Sequence, residues 1–429
     1  MDKLIKMALE QAEQAEVYYT EESSDGISFN DGKLDKADSS LSSGLSLRLI
    51  KDGKVGFAHT RNLLDPAKMV KQAMISQENG MEVKFSFPKP TPVRSFDSYD
   101  PSLENISKKD LIQKGQELIS YVKARSDAQI NLNIWYSTGK VQISNSQGTD
   151  LSRLESSFGV YAQMIFPGTG SGLVAFFMGP KPGWIPVSEI DEMIELFRIS
   201  KEQVVPQTGK LPVIFQGSSV YALTWRLDEA IHPSNHYNKI SPLCNRIGER
   251  IISDKLSYFQ NPFDEEMAFC AGFDEEGTPT SKYHFFEKGV FKAIPTDLNY
   301  AQKLGLQPTG NGFRHSVETM PGARVINANL STGDLSLKEM IAQIDNGLIV
   351  QSLMGAHSGN ILNGDFSVGV ASGFLIQGGK LVGRVKDCML SGNVYDTLNN
   401  VVAIENKARN MGGRRYPSIC CEGVSVAGK

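Results

Sequence analysis

The chain has 429 residues, with 44 basic and 48 acidic side chains for a formal net charge of −4, and is 40% hydrophobic and 21% charged. At roughly 100 to 200 residues per domain, such a length gives two or three domains whose cores do not depend on disulfides. The slightly negative balance, and basic groups no longer than Lys108-Lys109 and Arg414-Arg415, argue against direct binding of nucleic acid.

Five cysteines, Cys244, Cys270, Cys388, Cys420 and Cys421, form an odd set without CxxC spacing, which points to a reducing, cytoplasmic setting. The opening MDKLIKMALEQAEQAE alternates charged with apolar residues, unlike a secretory signal, and no apolar run reaches membrane-spanning length. Within residues 2 to 16, Leu4, Ile5, Met7, Ala8, Ala12 and Ala15 form a helical stripe. Asp31-Gly32 and Asp52-Gly53 then sit between strand-like runs, the pairing that favours tight hairpin turns, so residues 26 to 59 are predicted to be a small antiparallel meander.

Asp65-Pro66 opens a helix with Asp as N-cap and Pro at its first position, burying Met69, Val70, Ala73 and Met74. Pro88, Pro90 and Pro92 make an extended connection. Ser107 with Asp110, and Ile106 against Leu111, start a helix to about Arg125 with Leu111, Leu118, Ile119 and Val122 on one face. Ile130, Leu132, Ile134 and Tyr136 alternate into a Thr138-Gly139 turn, and strand-like runs broken by Gly148, Gly168, Gly170 and Gly172 continue to residue 179. After the Gly179–Gly183 breaker comes a helix from Ser188 with an acidic first turn.

A domain boundary is placed near residue 205, giving an α+β protein of two domains: 1–204 with helices and antiparallel hairpins, and 205–429 richer in glycine and strand. The second half carries a helix near 218 to 231 and another at the Ser336-x-x-Glu339 box, stapled by Leu335 on Met340. Glu287-Lys288-Gly289 and Gly378-Gly379 mark hairpins, the latter joining Gly373–Ile376 to Leu381–Val385.

No histidine is followed by glutamate, so HExxH, which presents two imidazoles and a general base from one helix face, is absent, as are GxSxG and GxxxxGK[ST]. His232 and His236 have i,i+4 spacing, but Pro233 pushes its predecessor out of α geometry and sets the pair beyond the helix end. Cys420 and Cys421 could supply a thiolate, which needs a nearby cation or metal, or serve as small buried hydrophobes. His357-Ser358-Gly359 sets a base beside a hydroxyl, yet sequence neighbours rarely face each other, and a glycine-bounded turn is favoured.

The segment GAHSGNILNGDFSVGVASGFLIQGGKLVGRVKDCMLSGNVYDTL (355 to 398) punctuates strand runs with glycines that leave room for another main chain, or that serve bulges and corners. GDFSVGVASGFLI followed by a hairpin and SGN resembles the C-terminal signature of the TldD/PmbA family, the "modulator of DNA gyrase" proteins. FDEEGTPTSKYHFFEKGVFKAIPTDLNYAQKLGLQPTGNGFR (273 to 314) resembles the block that precedes it, and GISFNDGKLDKADSSLSSGLSLRLIKDGKVGFAHT (26 to 60) the N-terminal block. The three together extend the resemblance over nearly the whole chain.

The resemblance implies a two-domain α+β protein working in a pair, one subunit a zinc metallopeptidase with HExxxH and a C-terminal cysteine, the other a relative without metal. Counting back from Gly248-Glu249, HExxxH should fall within about residues 222 to 234, where YALTWRLDEAIHP has no His-Glu, while Cys420 or Cys421 matches the cysteine. The chain thus resembles the PmbA (TldE) half. That implies a non-catalytic subunit without a cofactor of its own, zinc being expected in an HExxxH-bearing TldD-type partner, and an unstructured peptide as substrate. Candidate peptide-binding residues are Gly355, Ser358, Gly359, Gly364, Asp365, Phe366, Ser367 and Gly369. Two alternatives stay open. One is a self-sufficient hydrolase with metal on His232, His236 and Cys420 or Cys421 and with Asp228 or Glu229 as base; the other is a homodimeric peptide-binding scaffold.

Overall fold

The computed structural model describes residues 1–62, 65–96 and 98–428. Its first half is a six-stranded antiparallel sheet built on three strands of 17 to 19 residues. These are β1 (Gln14–Asn30), β2 (Lys33–Lys51) and, later in the chain, β4 (Gln129–Asn145); with β3 (Lys54–Thr60), β5 (Asp150–Ile165) and β6 (Gly172–Gly179) they follow the order β3-β2-β1-β4-β5-β6. The hairpin turns fall where Asp-Gly places them, with φ of 48° and 72° at Asp31 and Gly32 and 49° and 68° at Asp52 and Gly53.

Two expectations need correction. The opening helix α1 (Asp2–Leu9) ends well before residue 16, and Ala15 lies on β1. Ala15 is nevertheless buried with Leu4, Ile5 and Ala8, so one apolar cluster draws on two elements. Nor does the chain turn at Thr138-Gly139: β4 runs straight through, because Gly139 serves a close approach, a Cβ there falling 2.7 Å from the Glu21 carbonyl oxygen.

Helix α2 (Pro66–Glu78) is capped by Asp65, whose side chain accepts from Lys68 N–H, and α3 (Lys108–Lys123) by Ser107, which accepts from Asp110 N–H. Both pack on the sheet face that carries Val17, Ile27 and Phe29. Helix α4 (Val187–Ile199) follows the Gly179–Gly183 breaker.

The second sheet has twelve strands among the described residues. Five of them pair in a closed circuit: β7 (Gly209–Phe215), β8 (Asn346–Met354), β9 (Asp365–Gln377), β11 (Cys388–Asn393) and β13 (Arg414–Gly428), the last returning to β7. Between β9 and β11, β10 (Lys380–Val385) forms the Gly378-Gly379 hairpin, and β12 (Val401–Asn410) flanks β13. Helix α5 (Ser218–Ile231) shares a core with the circuit through Val220, Leu223 and Leu227. Ser336 and Glu339 form the expected capping box of α7 (Leu337–Ala342), a label that follows α6 (Pro233–Tyr237). The α+β class is as expected.

Buried charge joins the two halves. Glu16 on β1, fully buried, accepts from Arg48 Nε at 2.8 Å and from Arg314 at 2.9 Å, while Arg48 reaches Glu276 at 2.8 Å. The acidic FDEEG run is therefore interior: Glu276 pairs with Arg48 and Glu275 with Arg153, both from the first half, while Asp274 accepts from the backbone N–H groups of Glu276, Thr278 and Gly312.

Candidate functional site

Helix α5 occupies the segment where an HExxxH would have to lie. Its buried face carries Leu223, Thr224, Arg226 and Leu227, and its other residues include Tyr221, Trp225, Asp228 and Glu229. The i,i+4 pair that meets the sheet is Thr224 and Asp228. Tyr258 donates its hydroxyl hydrogen to Asp228 at 2.5 Å, Arg414 lies 3.6 Å from the same carboxylate, and Thr224 donates to the Tyr416 hydroxyl at 3.1 Å. Burial, opposed by Arg414, pushes the Asp228 carboxyl up to about 6. The Tyr258 phenol and the Arg414 guanidinium thus take one oxygen each of this carboxylate.

His232 ends α5 in an extended conformation (φ −63°, ψ 127°) and serves as N-cap of α6, with Pro233 at its first position. Its Nδ1 lies 2.7 Å from Ser234 Oγ, and His236 Nε2 donates to the Ala230 carbonyl at 2.9 Å. Burial lowers both imidazole pKa values. Cys420 and Cys421, neighbours on β13, point into different cores: Cys420 joins Ile214, Ile349 and Phe374, and Cys421 joins Val213 and Leu223. Burial pushes the Cys420 thiol up to about 12 and raises Cys421 well above the ordinary thiol value, the opposite of what a ligand or nucleophile requires. Among the described residues no three His, Cys, Asp or Glu side chains gather as a metal site. The donors do not fit the catalytic zinc that a metallopeptidase needs, and the rearranged His232, His236, Cys420/Cys421 site is not assembled.

The glycine-rich candidates do come together, around Arg226. This guanidinium is fully buried and donates to the carbonyls of Ala356 (3.0 Å), Ser358 (3.0 Å) and Asp365 (3.0 Å), as well as to Ala222 (2.7 Å) within its own helix. It also lies 5.8 Å from the Phe366 ring. Loop 355–364 is thereby drawn against α5, with Gly355, Gly359 and Gly364 at φ of 73°, 97° and 88°. Strand β11 takes one edge of Asp365–Gly369, Ser367 opposite Ser391, and on the other side Asp365 N–H donates to Asn360 and Gly369 pairs with Met354. The space beside Gly359 is taken by the Asp365 backbone, and that beside Gly364 by the Val394 and Tyr395 side chains.

Open backbone lies elsewhere. A cavity of about 920 Å³ separates β6 from the ends of β7 and β8, lined among others by Val174, Phe176, Gln216, Gln351 and Asn410. β6 is the last strand of its sheet. Phe166 N–H donates to Ser171, so by alternation Leu173, Ala175 and Phe177 bond β5, while Val174, Phe176 and Met178 turn their main-chain groups toward the cavity. Met178 O accepts from Asn410 Nδ2 at 2.9 Å; among the described residues the outward groups of Val174 and Phe176 have no main-chain partner, and Asn410 Oδ1 is buried without one. Sequence reasoning missed both this edge and Arg226. The one available signal was an arginine on the apolar stripe of YALTWRLDEAI.

Comparisons with known proteins follow this architecture. The PmbA/TldA metallopeptidase C-terminal domain matches residues 208–428, and domain 1 of the same family matches residues 15–76. A protein named metalloprotease from Methanothermobacter thermautotrophicus is 27% identical over 411 residues, 89% of this chain and 86% of its own. Metalloprotease PmbA of Escherichia coli O157:H7 is 26% identical over 234 residues, 54% of this chain and 49% of that one. The crystal structure of TldE from Thermococcus kodakarensis superposes with a TM-score of 0.91 at 23% identity over the full length of both chains, a match of fold. With one of these domains spanning half its length, this chain belongs to the PmbA/TldD metallopeptidase family.

Proposed function

We propose that this chain is the zinc-free, non-catalytic subunit of a two-subunit peptidase, holding an unstructured peptide while an HExxxH-bearing TldD-type partner supplies the zinc and the activated water. The observation that carries this reading is the make-up of α5: where the imidazole pair and carboxylate would stand, Thr224 and Asp228 are locked to Tyr416, Tyr258 and Arg414. Such a helix cannot ready water for amide hydrolysis.

The peptide-binding half of the proposal draws support from β6. Its free main-chain groups face a cavity walled by Phe176 and Val174, a setting in which an extended peptide adds as a further strand and gains affinity from backbone bonds whatever its sequence. The test is elemental zinc analysis with a cleavage assay on an unfolded peptide, for the chain alone and after co-expression with an HExxxH-bearing relative. Zinc and cleavage are expected only in the complex. Stoichiometric zinc and turnover by the chain alone would overturn the assignment.

A further inference from the structure

Helix α5 points its N-terminus at the same cavity. Gln216, Gly217 and Ser218 line it, and the helix runs from there into the core through Val220, Leu223 and Leu227. The aligned peptide dipoles of its 14 residues end in a partial positive charge at the cavity wall. The first N–H groups of a helix need acceptors, which a serine, threonine or aspartate at the N-cap normally supplies. Here the N-cap is Gly217, at φ 61° and ψ −131°, and no side chain caps the helix. Ser219 N–H donates back to the Gln216 carbonyl, Val220 N–H to that of Gly217, and Ser218 Oγ to that of Gln351 at 3.0 Å. The N–H groups of Gly217 and Ser218 have no partner among the described residues.

A side-chain donor stands beside them. Gln216 is only 5% exposed, and a relay orients its carboxamide: Ser372 Oγ donates to Gln351 Oε1 at 3.1 Å, and Gln351 Nε2 donates to Gln216 Oε1 at 3.0 Å. The relay occupies the Gln216 oxygen and leaves its Nε2, with two hydrogens, in the cavity wall without an acceptor among the described residues. A buried amide donor is costly to leave unpaired, so this one, like the helix N–H groups next to it, is set for a ligand. Three cations of the cavity are engaged elsewhere. Lys407 lies 3.6 Å from Glu189, Arg415 is 2.8 Å from Asp264 and 2.8 Å from Glu266, and Arg409 is 2.5 Å from Glu405. The corner at Gln216 is therefore built of neutral donors.

We infer that this corner holds the C-terminal carboxylate of a bound peptide, shared between the Gly217 and Ser218 N–H groups and Gln216 Nε2. An anion at a helix N-terminus gains from the free N–H groups and from the dipole together. With β6 as the peptide-holding edge proposed above, on which this rests, the terminal carboxylate is the anion that a peptide of any sequence brings. That suits an edge which bonds main chain and reads no side chains. The substrate class is then peptides with a free C-terminal end, as against closed loops and amidated ends.

The test measures fluorescence anisotropy of a decapeptide of serine and valine binding to the full chain. The peptide carries fluorescein at its N-terminus and is made both as the C-terminal acid and as the C-terminal amide. The acid should bind about tenfold more tightly. An amide with one internal glutamate should bind no better than the plain amide. Gln216→Glu keeps an acceptor for Gln351 Nε2 but sets a second carboxylate in the corner, so the acid should lose its advantage altogether. Ser218→Pro, which suits the first position of a helix and deletes one N–H, should shrink that advantage to about threefold while the circular dichroism stays native. Equal binding of acid and amide by the native chain, or an unchanged ratio in both variants, would overturn the carboxylate site and leave the peptide-holding reading standing. A glutamate-bearing amide that matched the acid would overturn it too, and binding of none of the peptides would overturn both.

Discussion

Arg226 offers the sharpest test of how α5 controls the glycine-rich loop. Arg226→Leu keeps much of the side-chain volume and removes every donor. The Ala222 carbonyl keeps its helical bond, but Ala356, Ser358 and Asp365 lose theirs. At about 1 kcal/mol per bond the loop loses roughly 3 kcal/mol, a factor of about 150 in its opening equilibrium. Arg226→Lys, a single point charge that cannot fork to three carbonyls, should lose about two thirds of that. Hydrogen exchange reads the change at the amides of Ser358, Gly364 and Asp365, which bond within the loop. The expected ranking of protection is native, then lysine, then leucine, with distant segments of the first sheet unaffected. Equal exchange of residues 355–366 in all three proteins would refute the clamp.

Other consequences are as concrete. Glu16→Gln removes the carboxylate shared by Arg48 and Arg314, and should cost about 3 kcal/mol, read as a lowered denaturation midpoint and faster proteolysis between the halves. Burial, and then the nearby Glu276, raise Asp297 to about 7. The folded state therefore binds the extra proton, and this contribution, full below the unfolded value near 3.8, fades as pH rises through 7. Asp297→Asn, which keeps the cap on Tyr300 N–H, should flatten the melting temperature between pH 5 and 8 relative to the native chain, and parallel profiles would contradict it. Val174→Pro deletes a donor that faces only the cavity, so a labelled unstructured peptide should bind about tenfold more weakly while the fold persists. Cys420 and Cys421, with thiols raised by burial, should resist iodoacetamide until the chain is unfolded, as peptide mass mapping would record.

The fold was legible where one residue type has one physical use. Asp31-Gly32, Asp52-Gly53, Lys288-Gly289 and Gly378-Gly379 all adopt the positive φ that their hairpins demand. Asp65, Ser107 and Ser336 all cap helices, and Pro233 ends α5 at His232, which alone separates the two imidazoles from a continuous helix. Legibility failed where a residue type has two uses. Gly139 suggests a turn and instead lets β1 approach β4. The same ambiguity governs the site. Of the glycines of 355–369, Gly359 meets the chain's own backbone at Asp365, and the loop is held by Arg226, a charge in an apolar helix that needs carbonyls to compensate its burial and finds them there. A free edge such as β6 leaves no mark in its own residues, since what makes it free is the strand that is missing beside it. It follows that the absence of HExxxH could be read from a single stretch of sequence, whereas an open main-chain edge emerges only once the strand order is known.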